Sequence, residues 1–494
     1  MSRRCAFLRS AFLIFFVLGP TTTFGGTFQN PLTFPTGDGP WALAVGDFNN
    51  DGRPDIATAD LLASPGMVSV LLGNSDGTFQ KNKDFAAGAL PYAIAVGDFN
   101  RDGNADLVVA NECYSPGCAS GQQGDVAILL GNGDGTFRPY QTYLSGDVTR
   151  SIAVADFNHD GNLDIITGNW GSLSVSVLEG NGDGTFQPRV DYVLNYTVQS
   201  VTAGDLNGDG HPDIVACMGE GSLKGLNIAI LLNNGDGTFQ PAVYYAATTG
   251  QYSGSYAAAI ADVNHDGKQD LVVANDGGVI ARSYNSVSVL LGNGDGTFRP
   301  YRTFHSLMYA HSVALGDFNN DGTQDVVLGD FPYAGVSYIG VGVILGKNNG
   351  TLEPGNQFAS AGDPVAMVTA DFNGDGAVDI AAANYTVPPQ VSILLNGGGT
   401  FMQTTSSANP SKAGQPVTFT ATVSATVGSG RSPGGRVVFK DGATTLGSAV
   451  LANGQASLTT SSLGVGSHTI SVGYSGSHAF NRNQAAPITQ QVDP

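Results

Sequence analysis

Short runs of alternating apolar and polar residues recur along this chain and are separated by segments rich in Gly, Asp and Asn. One kind of run leads into an acidic loop, as in residues 152–157 (IAVADF), and a second follows such a loop, as in 106–111 (DLVVAN). A third, such as 287–291 (VSVLL), precedes an Asp-Gly turn, after which an F-Q-P segment starts a fourth. Alternation with a period of two predicts β-strands, and no segment after residue 24 has helical periodicity. The sequence therefore predicts an all-β fold.

Two signatures repeat in strict alternation along residues 25–403. The second is a turn of the form L-L-G-N-G-D-G-T-F, whose sixth and seventh copies (GKNNGTL and GGGTF) lack the Asp. Four short antiparallel strands per repeat of about 54 residues form one blade of a propeller. We therefore predict a seven-bladed β-propeller over residues 25–403. The first signature is an acidic loop of the form D-x-N-x-D-G-x-x-D, with copies starting at Asp47, Asp98, Asp156, Asp205, Asp262, Asp317 and Asp371.

The first residues of the predicted propeller read as the end of a repeat. Residues 25–37 (GGTFQNPLTFPTG) continue the turn signature and would supply the outer strand of the last blade. Such a strand would join the two ends of the ring and cover its last free edge. Residues 400–404 (TFMQT) compete for the same place, and we favour the N-terminal segment.

The two flanks of the propeller have different compositions. Residues 1–24 have the pattern of a secretory signal peptide, with three Arg before a short apolar run at 11–18; an uncleaved anchor is the alternative. After residue 403 the chain becomes rich in Ser, Thr, Gly and Val, and short alternating runs predict a small β-sandwich over 404–494. We expect a secreted or cell-surface protein, monomeric and without a membrane span in the mature chain.

The formal net charge of −20 argues against nucleic acid and anionic membrane surfaces as partners. Three Asp in each of seven loops account for 21 of the 41 acidic residues, so the charge originates in the loops. Cys113 and Cys118 are a candidate disulfide in an oxidising compartment. Cys217 lies in an apolar run, which predicts a buried thiol.

Each acidic loop alternates carboxylate and amide oxygens along a tight turn. In the first copy these come from Asp47, Asn49, Asp51 and Asp55. Oxygen-only ligands suit a hard cation, and we expect Ca²⁺, up to seven ions in all. Two carboxylates about 5 Å apart repel by roughly 3 kcal/mol at an effective dielectric constant of about 20, which a cation would relieve. An EF-hand is disfavoured because no Glu stands at position twelve; a turn without an ion is the other alternative.

The pairing of VGDFN-x-DG-x-x-DLVVAN with VSVLLGNGDGTF resembles the FG-GAP/VCBS-type repeats, the group that includes the integrin α-subunit propeller. Residues 404–494, with GRVVFKDGATTLGSAVL and VGSHTISVGYSG, resemble bacterial Ig-like domains. The resemblance implies calcium in the loop between the first two strands of each blade, and ligands on the opposite face.

We expect positions one, three, five and nine of each loop to bind the ion together with the backbone carbonyl of position seven. These residues are Asp47, Asn49, Asp51, Arg53 and Asp55; Asp98, Asn100, Asp102, Asn104 and Asp106; Asp156, Asn158, Asp160, Asn162 and Asp164; Asp205, Asn207, Asp209, His211 and Asp213; Asp262, Asn264, Asp266, Lys268 and Asp270; Asp317, Asn319, Asp321, Thr323 and Asp325; Asp371, Asn373, Asp375, Ala377 and Asp379.

The second strand of six predicted blades ends in Asn or Asp, which could form a ring on the ligand face. We favour the other explanation of these residues, that they satisfy the backbone at a strand end. Trp41 and Trp170 lie near the same face, and aromatic rings beside amides suit sugar stacking. The strand-end candidates are Asp60, Asn111, Asn169, Asn275, Asp330 and Asn384.

No catalytic constellation is present in the sequence, since the His are scattered and no nucleophile elbow or zinc-type His pair occurs. The sequence therefore favours an extracellular binding or adhesion module for a glycan or protein ligand. The alternatives are a polysaccharide lyase or hydrolase on a propeller scaffold, and a purely structural or assembly protein.

Overall fold

The computed structural model describes residues 27–494 except 114–122, 220–225, 249–253, 277–285, 307–309, 320, 331–339, 354, 386–387, 398–399, 426–432, 477–479 and 481–482. The predicted signal peptide and Cys118 lie outside this part of the chain. Cys113 is disulfide-bonded, and Cys217 is a free, buried thiol as predicted. No helix of the described residues has the length and hydropathy needed to span a membrane.

Seven four-stranded antiparallel units follow one another in the described residues up to Gly397. We number these blades 1 to 7. Lys83–Gly97 is shared, because its first part is the outer strand of blade 1 and its second part is the innermost strand of blade 2. The other innermost strands are Pro40–Gly46, Thr149–Ala155, Val198–Gly204, Gly254–Ala261, Ala310–Gly316 and Pro364–Ala370.

The second and third strands form the buried middle of each blade, which explains their nearly continuous apolar runs. Every second strand begins at the ninth residue of an acidic loop. The second strands are Asp55–Asp60, Asp106–Cys113, Asp164–Asn169, Asp213–Met218, Asp270–Asp276, Asp325–Asp330 and Asp379–Asn384. The third strands are Gly66–Leu71, Gln123–Leu129, Ser174–Leu178, Leu226–Leu231, Ser286–Leu290, Val341–Ile344 and Gln390–Leu394. The outer strands of blades 2 to 7 are Gln141–Asp147, Val190–Val193, Val243–Ala246, Arg302–His305, Asn356–Phe358 and Leu32–Pro35.

The N-terminal segment closes the ring. Leu32–Pro35 pairs with Gln390–Leu394 as the outer strand of blade 7, and Thr27–Phe28 pairs with Asn396–Gly397 in the turn of the same blade. Blade 7 also packs on blade 1 through a shared hydrophobic core. The preference for the N-terminal strand is thus confirmed, because Thr400–Ser406 pairs elsewhere, with Val417–Ala425.

Apolar side chains between neighbouring blades hold the propeller together. The second residue of an acidic loop packs edge-to-face against the Phe in the turn of the following blade, with ring centroids 5.6 Å apart for Phe48 and Phe137 and 5.8 Å for Phe99 and Phe186. In the first five turns an Asp caps the turn, as Asp134 accepts from both the N–H and the hydroxyl of Thr136. The sixth turn lacks this Asp but keeps the geometry through Asn349. The short pair Gly346–Lys347 and Thr351–Leu352 flanks that turn.

The innermost strands share an irregularity near their first residues. In all seven, the register with the second strand shifts by one residue, which leaves a β-bulge. The bulge lies at the end of the strand away from the acidic loop.

The remaining described residues form a β-sandwich of two sheets around one core. Phe419 and Val423 of one sheet face Phe439 and Val472 of the other. Its first strand begins at Thr400, slightly before the predicted boundary at 404. The strands are Thr400–Ser406, Ser411–Lys412, Val417–Ala425, Arg436–Asp441, Thr444–Val450, Gln455–Thr460, Gly466–Tyr474, Asn483–Gln484 and Ile488–Asp493. An all-β propeller followed by a sandwich is confirmed.

Candidate functional site

The seven acidic loops share one internal hydrogen-bond pattern. In the first, the two carboxylate oxygens of Asp47 accept from the N–H groups of Asp51 and Gly52, at 3.0 and 2.7 Å. Asn49 Oδ1 also accepts from Asp51 N–H at 3.1 Å, and Asp51 Oδ1 accepts from Arg53 N–H at 3.0 Å. Gly52 has φ of 78°, in the left-handed region that the tight turn requires. The other six loops repeat this pattern.

The ninth loop residue is a buried strut that links two parts of its blade. Asp55 is fully buried. Its Oδ2 accepts from Phe48 N–H at 2.8 Å, and its Oδ1 accepts from Gly73 N–H at 2.7 Å. The carboxylate therefore joins the acidic loop to the end of the third strand. The same pair of bonds is present at Asp106, Asp164, Asp213, Asp270, Asp325 and Asp379.

Burial sets the electrostatics of these struts. Burial raises the pKa of Asp55 to about 6 against its two backbone hydrogen bonds, and the carboxylates of Asp51 and Asp47 add to the rise. The same cause raises the pKa of Asp325 to about 7 and that of Asp379 well above its ordinary value. Because a nearby positive charge favours the ionised form, a cation in the loop would oppose these shifts.

The donor set of the loops fits a hard cation at positions one, three and five. Each carboxylate oxygen has two lone pairs, so one N–H bond leaves an acceptor position available. No three His, Cys, Asp or Glu side chains converge closely enough to hold a metal ion as they stand in the part of the chain that the structure describes. Two features account for this: position three supplies an amide, and position nine is directed at two backbone N–H groups. Calcium binding therefore stays a prediction.

The polar residues that end the second strands lie inside the blades. Asp60, Asn111, Asn169, Asn275 and Asn384 are fully buried; the side chain of Asp330 is outside the described set. They bond across the blade, as Asn169 Nδ2 donates to Ser176 Oγ at 2.8 Å and Asn384 Nδ2 to Ser392 Oγ at 2.7 Å. These five side chains are buried and bond within the blade, so they do not line the surface as the sequence suggested. Their polar groups are not all paired, because Oδ1 of Asn111 and Oδ1 of Asn384 are buried without a hydrogen-bond partner.

Partly exposed aromatic residues lie together instead, at the end of the propeller away from the acidic loops. The ring centroid of Trp41 lies 5.1 Å from that of Tyr92 and 5.2 Å from that of Tyr385. The guanidinium carbon of Arg150 lies 5.2 Å from the Tyr92 centroid and 4.6 Å from that of Trp170.

Glu112 completes this group, which we call the mouth cluster: Trp41, Tyr92, Glu112, Arg150, Trp170 and Tyr385. Its Oε1 accepts from Nε and Nη2 of Arg150 at 2.9 and 2.7 Å. Burial raises the pKa of Tyr92 to about 12, so its hydroxyl stays protonated at neutral pH. The sequence pointed to the two Trp of this cluster but not to Arg150 or Glu112, since no repeated motif includes them.

This arrangement defines a β-propeller with repeated oxygen-donor loops, joined to an Ig-like sandwich. The FG-GAP-like repeat matches residues 19–58, 59–109, 118–167, 156–216, 220–273 and 276–328, the FG-GAP repeat matches 90–129, and the bacterial Ig-like domain (group 3) matches 404–493. The chain belongs to the FG-GAP repeat family and carries a bacterial Ig-like domain.

Similarity to named proteins is partial. Cartilage acidic protein 1 of Homo sapiens is 29% identical over 155 residues, which are 30% of this chain and 23% of that protein. The Xenopus tropicalis protein is 30% identical over 158 residues, with the same coverage of 30% and 23%. The chain thus spans about a quarter of the length of these relatives.

Solved structures resemble the chain at low sequence identity. The periplasmic gluconolactonase of Pseudomonas aeruginosa has a TM-score of 0.49 at 16% identity, and the match covers 66% of this chain and 86% of the gluconolactonase chain. The extracellular domain of a putative hybrid two-component system protein from B. thetaiotaomicron has a TM-score of 0.45 at 10% identity. That match covers 95% of this chain and 60% of the other chain. At these values the likeness carries no functional argument.

Proposed function

We propose that this chain is an extracellular binding module, in which calcium-holding loops stabilise the propeller at one end and a glycan binds at the other. The observation that carries the proposal is the separation of two kinds of chemistry along the same innermost strands. Trp41 lies near the start of the strand Pro40–Gly46 and Asp47 directly follows its end, six residues away, which corresponds to about 20 Å. The oxygen donors and the mouth cluster therefore occupy opposite ends of a rigid ring.

The calcium part of the proposal rests on the chain's own oxygens. Positions one, three and five of each loop, such as Asp47, Asn49 and Asp51, would hold the ion, and the position-nine carboxylate would support the loop from the blade interior. A bound divalent cation would supply positive charge that offsets carboxylate repulsion. Seven such ions would offset 14 of the 20 net negative charges.

The binding part of the proposal is tested by incubating the full chain with a glycan array in millimolar Ca²⁺. We expect selective binding to a small set of glycans. A chain that binds no glycan and instead retains a single protein from an extracellular fraction would contradict the glycan ligand and support an assembly role.

A further inference from the structure

One residue of each innermost strand is displaced from the regular ladder by the shared β-bulge. A bulge re-aims the side chain of its extra residue and recurs beside functional sites. Each displaced residue stands six positions before the first Asp of its acidic loop, so all seven lie at one level of the ring. They are Trp41, Tyr92, Arg150, Gln199, Tyr256, His311 and Val365.

Five of the seven bulge residues contact the bulge residue of a neighbouring blade. Trp41 contacts Tyr92, Tyr92 lies under Arg150, and Tyr256 stacks on His311 with ring centroids 4.1 Å apart. Because propeller blades diverge outward from a central channel, equivalent side chains meet only near that channel. The seven residues therefore stand at equivalent positions around the channel, and we call this set the bulge ring; Val365 is its buried member.

The charges of the ring are matched internally. The guanidinium of Arg150 is paired with the Glu112 carboxylate, and both side chains remain 23% exposed. Burial lowers the pKa of His311 to about 4, so its imidazole is neutral at pH 7. The bulge ring and the mouth cluster together thus combine partly exposed aromatic rings, an amide at Gln199 and one neutralised ion pair.

We propose that the bulge ring and mouth cluster bind an uncharged saccharide, with the sugar seated between blades 7 and 3 beside Trp41, Tyr92 and Trp170. This inference rests on the proposed glycan-binding function and specifies its site and ligand class. Aromatic faces pack on the C–H faces of sugars, while a partly exposed Arg–Glu pair can donate to and accept from neighbouring hydroxyls.

Charge selects between saccharide classes. A polyuronate or sulfated chain would approach a protein that stays negative, at −20 without ions and −6 with seven Ca²⁺ bound, and the one cation of the bulge ring already has a carboxylate partner. An uncharged chain meets no such repulsion, and its binding depends little on salt.

Intrinsic fluorescence reports on this site in the unmodified protein, because the chain has two Trp and both belong to the mouth cluster. The tightest uncharged oligosaccharide from the array is titrated into the full chain in Ca²⁺. We expect a shift of the Trp emission and at least a twofold drop in the acrylamide quenching constant at saturation. Calorimetric binding of the same sugar with unchanged emission and quenching would place it elsewhere and overturn the site assignment.

Variants then locate the contacts. We expect at least tenfold weaker binding of the sugar for Trp41→Ala and for Arg150→Lys, which keeps the charge but loses the guanidinium plane. Tyr140→Ala is the matched control, since Tyr140 is 38% exposed next to the outer strand of blade 2; its affinity should stay within twofold. If Trp41→Ala does not fold, Arg150→Lys and the wild-type fluorescence decide the question.

The outcomes separate this inference from the function on which it rests. An affinity for an uncharged saccharide that is unchanged between 50 and 500 mM NaCl supports the inference. Glycan binding that is confined to acidic sugars and falls with salt overturns the ligand class but leaves the binding module intact. Absence of glycan binding overturns both.

Discussion

The ring of Phe28 meets that of Phe318 edge-to-face, with centroids 5.6 Å apart. Phe318 is the second residue of the sixth acidic loop. Its counterparts in other blades pack on the Phe in the turn of the following blade. The seventh turn takes that Phe from the N-terminal segment, not from Phe401 further along the chain. This aromatic contact thus adds to the strand pairing by which the N-terminal segment closes a ring whose ends are about 370 residues apart in sequence.

This contact predicts a difference between two Phe that follow a Thr in similar motifs. Phe28→Ala should lower the free energy of unfolding of the propeller by roughly 2–3 kcal/mol, less than for a fully buried Phe because Phe28 is partly exposed. Phe401→Ala is the control, since Phe401 is 60% exposed on the sandwich and should change stability by less than about 0.5 kcal/mol. Urea unfolding measures both; equal losses would contradict the closure.

The buried struts predict a second contrast. Asp55→Asn leaves one buried N–H facing an amide N–H₂ group, so we expect a loss of about 2 kcal/mol even in a chelator. Asp51→Asn removes an exposed carboxylate and should matter little in a chelator but weaken Ca²⁺ binding. Thermal unfolding with and without Ca²⁺ compares the two variants. If Asp55→Asn destabilises the protein only when Ca²⁺ is present, Asp55 is a ligand and not a strut.

Asp60 predicts a pH effect. Ser69 Oγ lies 2.7 Å from Asp60 Oδ2 and 2.8 Å from Asp84 Oδ1, yet a hydroxyl has one proton. One carboxyl must therefore carry a proton for both contacts to be hydrogen bonds. Burial raises the pKa of Asp60 to about 7, and Asp84 and Asp38 add to the rise. Protonated Asp60 then matches Asn169, whose amide donates to Ser176 at the same place in blade 3.

The raised pKa of Asp60 fixes the direction in which stability changes with pH. The folded state holds this proton more tightly than the unfolded state, whose pKa is near 3.8. Its contribution to stability is complete below pH 4 and is lost as the pH rises toward 7. Asp60→Asn removes that loss, so its stability advantage over the wild type should grow by up to about 1.4 kcal/mol per pH unit across this interval. If the unfolding free energies of the two proteins change in parallel with pH, Asp60 does not carry the proton.

Most of the fold could be predicted from the sequence because each blade repeats the same strand, loop and turn motifs. The alternating runs, the acidic loops and the Asp-Gly turns recur together, and residues 25–37 carry the end of a turn motif. This position of the motif in the repeat predicts that the N-terminal segment supplies the closing strand.

The functional site was less accessible to sequence reasoning for physical reasons. The strut role of Asp55 depends on Gly73, whose N–H is brought close only by strand pairing. The burial of Asn111 and its equivalents follows from how neighbouring strands cover the end of the second strand. The bulge ring has no common residue type; only its constant spacing of six residues from Asp47 and the equivalent Asp marks it.

Calorimetric unfolding of the full chain in Ca²⁺ and in a chelator tests the central claim most directly. A free ion concentration 100-fold above Kd stabilises the folded state by about 2.7 kcal/mol for each occupied loop. We therefore predict that the unfolding midpoint of the propeller falls markedly in the chelator and returns when Ca²⁺ is restored. An identical midpoint in both conditions, with no calcium in the purified protein, would contradict the account.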